Sequence, residues 1–418
     1  MIFDLDTFIR ERVTRRERSL LDADFARHDA DLHARIDGKR VLVIGGAGSI
    51  GSHYIKALLR FRIASLCVVD ISENGLTELV RDVRSAGGDW IPKEFTTYPV
   101  NFADPVFRKI FNARGPFDIV ANFAAHKHVR SEKDVFSIQA MVENNLLRAR
   151  DLLELLSHRP PEHLFCVSTD KAANPVNVMG ATKRLMEELV LAYAGRLPVK
   201  TARFANVAFS SGSLLAGFLE RLNKRQPWAC PLGIKRFFVS PTESGELCLL
   251  ASVMGPAGGI VFPKLDAERD LIPFDQVALD LLHALNMEAD ACRSDDEARR
   301  KMAVVKRQVV AGREEGGAGR AGKISWPVHF FESDTSGEKA YEEFYTPEEE
   351  LDLETFENLG VVKRARTQEV AEIDRIFDAL RSLFESEDLT KARVVEALTE
   401  YLPTFAHLET GKNLDQKM

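Results

Sequence analysis

Thr169, Asp170 and Lys171 stand side by side, and Lys183 follows a short way along the chain. A carboxyl and an amine in adjacent positions can act as acid and base on neighbouring atoms of one substrate. One removes a proton while the other protonates a departing oxygen. Each would have to hold its less common state, Asp170 protonated and Lys171 neutral. Burial pushes both pKa values that way, and attraction between the charged forms pushes both back. The plainer alternative is an ion pair at a strand end. Lys183 falls one helical turn beyond Met179, on the same face. The Met179 thioether cannot take a proton from a hydroxyl.

A second constellation lies nearer the N-terminus. Gly45, Gly48 and Gly51 form G-x-x-G-x-x-G directly after the apolar run "RVLVI", with Ser49 and Ile50 opening the next segment. Such glycines permit a tight turn and close backbone approach to a pyrophosphate, and the following helix N-terminus faces the negative charge. Asp70 ends "LCVVD". A carboxylate there accepts hydrogen bonds from ribose hydroxyls and repels a 2′-phosphate. Ile71, Ser72 and Glu73 follow, with no arginine, so the cofactor expected is NAD, with NADP kept open. The other reading of Asp70 is a cap for the helix from Glu73.

Elements must position these residues. Apolar runs recur at 65–70, 118–123, 163–168 and 199–205, with helix-like segments near 50–60, 74–86, 134–156 and 178–194. Strands apolar on both faces, alternating with amphipathic helices, specify a parallel sheet covered on both sides. The fold class expected is α/β, a doubly wound Rossmann sheet with a smaller C-terminal lobe. The expected division is a helical extension over 1–37, a dinucleotide-binding domain over 38–205, a substrate lobe over 206–345 and a helical tail over 346–418. The extension reads equally as an arm for self-association or as a cap on the main domain. The glycine-rich, charged stretch 311–323 reads as a loop, and 325–331 as a return to the sheet or lobe.

Composition narrows the function classes. The chain has 418 residues, 45% of them hydrophobic, and a net charge of −7, so a large core is affordable and a nucleic-acid partner is not indicated. Five scattered cysteines with no Cys-x-x-Cys pair point to a reducing compartment and away from disulfides or zinc. His126 and His128 flank Lys127 with no third ligand nearby, so no metal is expected. No apolar run is long enough to span a membrane, and the polar N-terminus is unlike a signal peptide. A cytoplasmic, soluble protein is expected.

The glycine spacing resembles the extended short-chain dehydrogenase/reductases. "STDKAANPVNVMGATK" (168–183), "AAHKHV", "GGIVFPK" (258–264) and "SGEKAYEE" (336–343) resemble the bacterial nucleotide-sugar 4,6-dehydratases of surface-polysaccharide synthesis, over roughly residues 38 to 345. That resemblance implies a UDP-N-acetylglucosamine-like substrate and a cofactor recycled within each turnover. It implies Asp170 as the acid that releases water and Lys171 as the base at C5. It places Lys183 on the nicotinamide ribose and Thr169 on the substrate. Asn101 and Ala124 would line the cofactor, Asn145 would hold the site together, and Lys127 and His128 would shape the sugar pocket. Most relatives carry tyrosine where this chain has Met179, although some members of the subgroup carry methionine. A relay through Thr169, water and the field of Lys183 is therefore expected to receive the O4 proton.

Departures fall on the nucleotide side. Relatives read Gly-Ser-Arg-Gly-Ser where this chain has Phe209-Ser-Ser-Gly-Ser213, and Arg-Pro-Gly-Glu-Lys where it has Thr335-Ser-Gly-Glu-Lys339. Arg203, Asn206, Lys235, Arg236 and Lys339 remain as nucleotide contacts. Two rival readings are a 4-epimerase, which needs no acid and base at C5 and C6, and a non-catalytic NAD-binding regulator. A homodimer or higher oligomer is expected from the superfamily.

Overall fold

The computed structural model describes residues 3–86, 90–127, 132–314, 323–332, 339, 341–364 and 368–408. Its centre is a mostly parallel sheet. The strands are β1 (Arg40–Ile44), β2 (Ser65–Asp70), β3 (Glu94–Pro99), β4 (Ile119–Asn122), β5 (His163–Val167) and β6 (Val199–Ala202). They lie in the order β3-β2-β1-β4-β5-β6, and Ile260–Pro263 follows in parallel beside β6. An antiparallel ribbon of Leu359–Arg364 and Glu350–Asp352 closes that edge. Helices cover both faces, as the alternation of apolar strands and amphipathic segments demands. The doubly wound fold is therefore present.

The strands stay parallel across β1 and β4, but the order in which they are added reverses there, and ligand crevices in such folds open beyond the strand ends at that point. Ile44 pairs with Val69 on one side and Asn122 on the other. The turn after β1, Asp70 after β2 and the segments after β4 and β5 thus emerge at one edge.

The sequence divided the chain differently from the structure. Helix Pro241–Val253 packs on helix Ser49–Leu58 so closely that a Cβ at Gly245 would lie 2.2 Å from the His53 carbonyl oxygen. This helix, Ile260–Pro263 and the ribbon all belong to the main sheet layer, so the segments expected as lobe and tail are interleaved with it. Among the described residues of the expected tail, the helices are Val370–Phe384 and Lys391–Tyr401. Residues 315–322 of the expected loop lie outside the described residues, and 311–314 end a long helix, Asp295–Glu314.

A second layer holds two small sheets. One joins Leu271–Pro273, Lys235–Val239 and Asn206–Val207; the other joins Met287–Cys292, Ile324–Glu332 and Trp228–Leu232. Their core centres on Trp228, stacked on Phe218 at 4.7 Å. The N-terminal segment is a cap on its own chain: Leu21, Phe25, Leu32 and Ile36 enter the main core, and Phe8, Ile9 and Val13 enter the second. Arg16 fixes it by a two-point bond to Glu243, at 2.8 Å for each contact.

Candidate active site

Two adjoining cavities lie at the strand ends. The first is a groove of about 240 Å³ lined by Gly45, Gly48, Ser49, Ile50, Gly51, Asp70, Asn101, Ala124 and Lys127, among others. Gly45 has φ +75°, and a Cβ there would meet Ala124 N at 2.6 Å. Only glycine lets this turn cross the segment after β4 so closely. At Gly51 a Cβ would lie 2.4 Å from the Gly45 carbonyl oxygen. Asp70 accepts from Ala47 N at 3.0 Å and Ser72 N at 2.9 Å, so its carboxylate braces the glycine turn. Ser72 Oγ accepts from Gly75 N, so the capping role read for Asp70 falls to Ser72. Asn101 Oδ1 accepts from Ala103 N at 2.9 Å.

The second cavity, about 220 Å³, is lined by Lys127, Thr169, Asp170, Lys171, Met179, Lys183 and Asn206 among others. It shares Ile50, Phe123, Ala125 and Lys127 with the groove. Thr169–Lys171 leave β5 in a short 3-10 turn over Asp170–Ala172. The helix Val178–Ala192 then begins at Asn177, whose side chain accepts from Gly180 N at 2.8 Å. A Cβ at Gly180 would meet the Lys171 carbonyl oxygen at 2.6 Å, so glycine there lets helix and turn touch. Met179 is 2% exposed, and its N–H donates to Glu132 at 3.1 Å.

Electrostatics in this cavity are uneven. Asp170 Oδ1 accepts from Thr169 Oγ1 at 2.8 Å, Lys171 N at 2.9 Å and Lys171 Nζ at 3.1 Å. Asp170 Oδ2 and Asn206 Nδ2 are both buried without a hydrogen-bond partner among the described residues. Burial opposes the charge on Lys171, but the Asp170 and Glu342 carboxylates outweigh it and lift its pKa above the usual lysine value. Attraction thus prevails over burial at Lys171. Lys183 Nζ donates to the Val167 carbonyl oxygen at 3.0 Å, and burial pulls its pKa down to about 8. Burial also lowers the pKa of Lys127.

Not every expected contact reaches the cavities. Arg203 is fully buried and bound at both ends, by Glu187 (2.8 and 2.9 Å) and Glu349 (2.8 and 2.9 Å), so it is a structural centre and not a nucleotide contact. Arg236 is 4% exposed, donates to the Lys339 carbonyl oxygen at 3.0 Å, and lines neither cavity; nor do Lys235 and Lys339. His128 lies outside the described residues. Asn145 sits in a π-helical turn, Glu143–Leu147, where its side chain accepts from His126 N at 2.8 Å and donates to His126 O at 2.9 Å. That wider turn also carries Asn144, which lines the groove. Sequence reasoning missed Glu342, Glu132 and Gly180. Glu342 stood inside the quoted "SGEKAYEE", but nothing in its spacing tied it to Lys171.

A family model described as polysaccharide biosynthesis protein matches residues 41–298. The chain belongs to this polysaccharide biosynthesis family. An uncharacterized membrane protein of Methanocaldococcus jannaschii is 35% identical over 250 residues, covering 56% of this chain and 69% of that protein. The probable polysaccharide biosynthesis protein EpsC of Bacillus subtilis is 29% identical over 54% of this chain, which spans only 38% of that relative's length. Among solved structures, Pen from Bacillus thuringiensis shares the fold with a TM-score of 0.60 at 19% identity, over 80% of this chain and 90% of that one. Among the described residues no helix is long and apolar enough to cross a membrane, and no cluster of ligating side chains could hold a metal ion.

Proposed function

We propose that this polysaccharide biosynthesis family member is an NAD-dependent nucleotide-sugar 4,6-dehydratase acting on UDP-N-acetylglucosamine or a close relative. The observation that carries the reading is the pairing of cavities. A glycine-turn groove with an acid at the second strand end opens directly into a cavity holding Thr169, Asp170, Lys171 and Lys183. The groove suits a dinucleotide: Gly45, Gly48 and Gly51 line it without side chains at the turn, and Asp70 lines it at the second strand end, which supports a pyrophosphate on the turn and a ribose near the acid. When bound, NAD would accept the C4 hydride and return it to C6.

The chain's own residues supply the proton steps. Thr169 orients the 4-hydroxyl, whose proton leaves through water in the field of Lys183. Lys171, once neutral, removes the C5 proton made acidic by the C4 ketone. The C6–O bond breaks, and Asp170 gives its proton so that water departs. C5 then regains a proton, and one water is lost with no net redox change. Asp170 and Asn206 line the cavity, and Asp170 Oδ2 and Asn206 Nδ2 are buried with no partner among the described residues, which supports a polar ligand at these residues.

The test is a proton NMR time course in D₂O with the protein, UDP-N-acetylglucosamine and NAD. A new C6 methyl signal with deuterium at C5 is expected. A C4-inverted product without a methyl group would identify an epimerase, and NAD binding without turnover of any nucleotide sugar would favour the regulator. Thr169→Val is expected to reduce both C5 exchange and methyl formation at least about 100-fold; full retention would exclude the relay. Gly51→Ala forces the turn apart and is expected to weaken NAD binding at least about tenfold by calorimetry.

A further inference from the structure

The Asp170–Lys171 pair has a third member. Glu342 Oε1 lies 3.7 Å from Lys171 Nζ, opposite in charge and 4% exposed. Glu342 does not line the cavity that Lys171 lines. Its segment is anchored from the second layer, where Arg236 in strand Lys235–Val239 donates to the Lys339 carbonyl oxygen at 3.0 Å. The Lys171 amine is therefore held between a carboxylate of its own turn and one delivered from a distant part of the chain.

We infer that Glu342 is a positioning residue that fixes the Lys171 amine at the cavity wall and governs whether that amine is charged. The inference rests on the reading of Asp170 and Lys171 as acid and base. Lys171 is faced by Asp170, Glu342 and Arg236; Glu342 is faced by Lys171, Asp170, Arg236 and Lys339. Lys127 and Lys183 line the same cavity. With both carboxylates ionised, the amine stays an ammonium and cannot take a proton from carbon. Burial raises the Glu342 carboxyl above the ordinary glutamate value, against the pull of the Lys171 amine 3.7 Å away. Loss of its charge leaves Asp170 as the one carboxylate on the amine and makes the neutral base easier to reach.

The direct test follows the amine and not the reaction. Trace labelling of the whole protein with acetic anhydride across a pH series, read by mass spectrometry of the Lys171 peptide, gives the titration midpoint of that amine. Glu342→Gln is expected to lower the midpoint by about one pH unit or more, a tenfold rise in reactivity below it. Glu342→Asp, which keeps the charge but withdraws it, is expected to shift the midpoint less in the same direction and covers the case in which the glutamine variant does not fold. Glu343→Gln is the control: Glu343 is exposed and bonds Asn174, and it is expected to leave the midpoint unmoved. A midpoint within about 0.3 units of wild type in both Glu342 variants overturns the inference. The rising limb of kcat/KM against pH is expected to move down with the labelling midpoint. A labelling shift in a protein that dehydrates no nucleotide sugar supports the positioning role while defeating the dehydratase reading.

Discussion

Asp170→Asn is expected to uncouple two events that run together in the intact site. The amide keeps the volume and an oxygen for Thr169 Oγ1 and the Lys171 amine, both of which bond the Asp170 carboxylate. It has no acidic proton for the departing 6-hydroxyl. Deuterium exchange at C5 should therefore continue in D₂O while the methyl signal falls by about 10²–10⁴-fold, the usual range for loss of a general acid. NAD binding should be unchanged, because Asp170 does not line the groove. Methyl formation at the wild-type rate would remove Asp170 from the acid's role. Loss of exchange and methyl together would show that the carboxylate is needed earlier, to hold Lys171.

The largest stability effect is expected at Arg203. Its guanidinium spans Glu187 and Glu349, themselves 1% and 5% exposed as side chains, with Arg184 3.0 Å from Glu349. Replacing Arg203 by Met leaves two carboxylates buried with too little positive charge. Breaking a buried pair in this way costs about 3–5 kcal/mol, read as a lower urea midpoint. The pH dependence has a fixed sign. Burial pushes the Glu349 carboxyl up, but Arg203 and its other partners hold it below the ordinary glutamate value. In the wild type this stabilisation is full above the unfolded glutamate pKa and fades as pH falls through the folded one. The variant has no such stabilisation to lose. Its protein can instead relieve the penalty by protonation, so the gap between the two should narrow as pH falls below the ordinary glutamate value. A gap that stays constant or widens with acid would mean the carboxylates were never the cause.

These two residues also show what could be read in advance. Asp170 was legible because its partners are its chain neighbours, and a short motif carries adjacency directly. Arg203 was misread because a lone arginine after a strand looks the same whether it meets a diphosphate or two glutamates from other elements. The inner strands were legible as unbroken apolar runs, since both their faces are covered. The edge strand Glu94–Pro99, with partly exposed threonines and a tyrosine, has no such run and was passed over. Ile260–Pro263 and the ribbon were assigned to a lobe and a tail because they pair with the sheet only after long excursions. The state of Lys171 depended on Glu342, which folding brings in from beyond the second layer, so no local spacing could announce it.

Asp24 is fully buried, and its carboxylate accepts from the backbone N–H groups of Glu357 and Asn358 at 2.6 and 2.9 Å. That clasp joins residues 333 and 334 positions apart in the chain. Closing so large a loop loses entropy that no local contact offsets, and such contacts form late. During synthesis the β1–β6 layer can assemble while the ribbon is still within the ribosome, but the edge at Ile260–Pro263 stays bare until the ribbon strands Glu350–Asp352 and Leu359–Arg364 have emerged. In that interval the exposed edge is the part of the nascent protein most open to pairing with another chain.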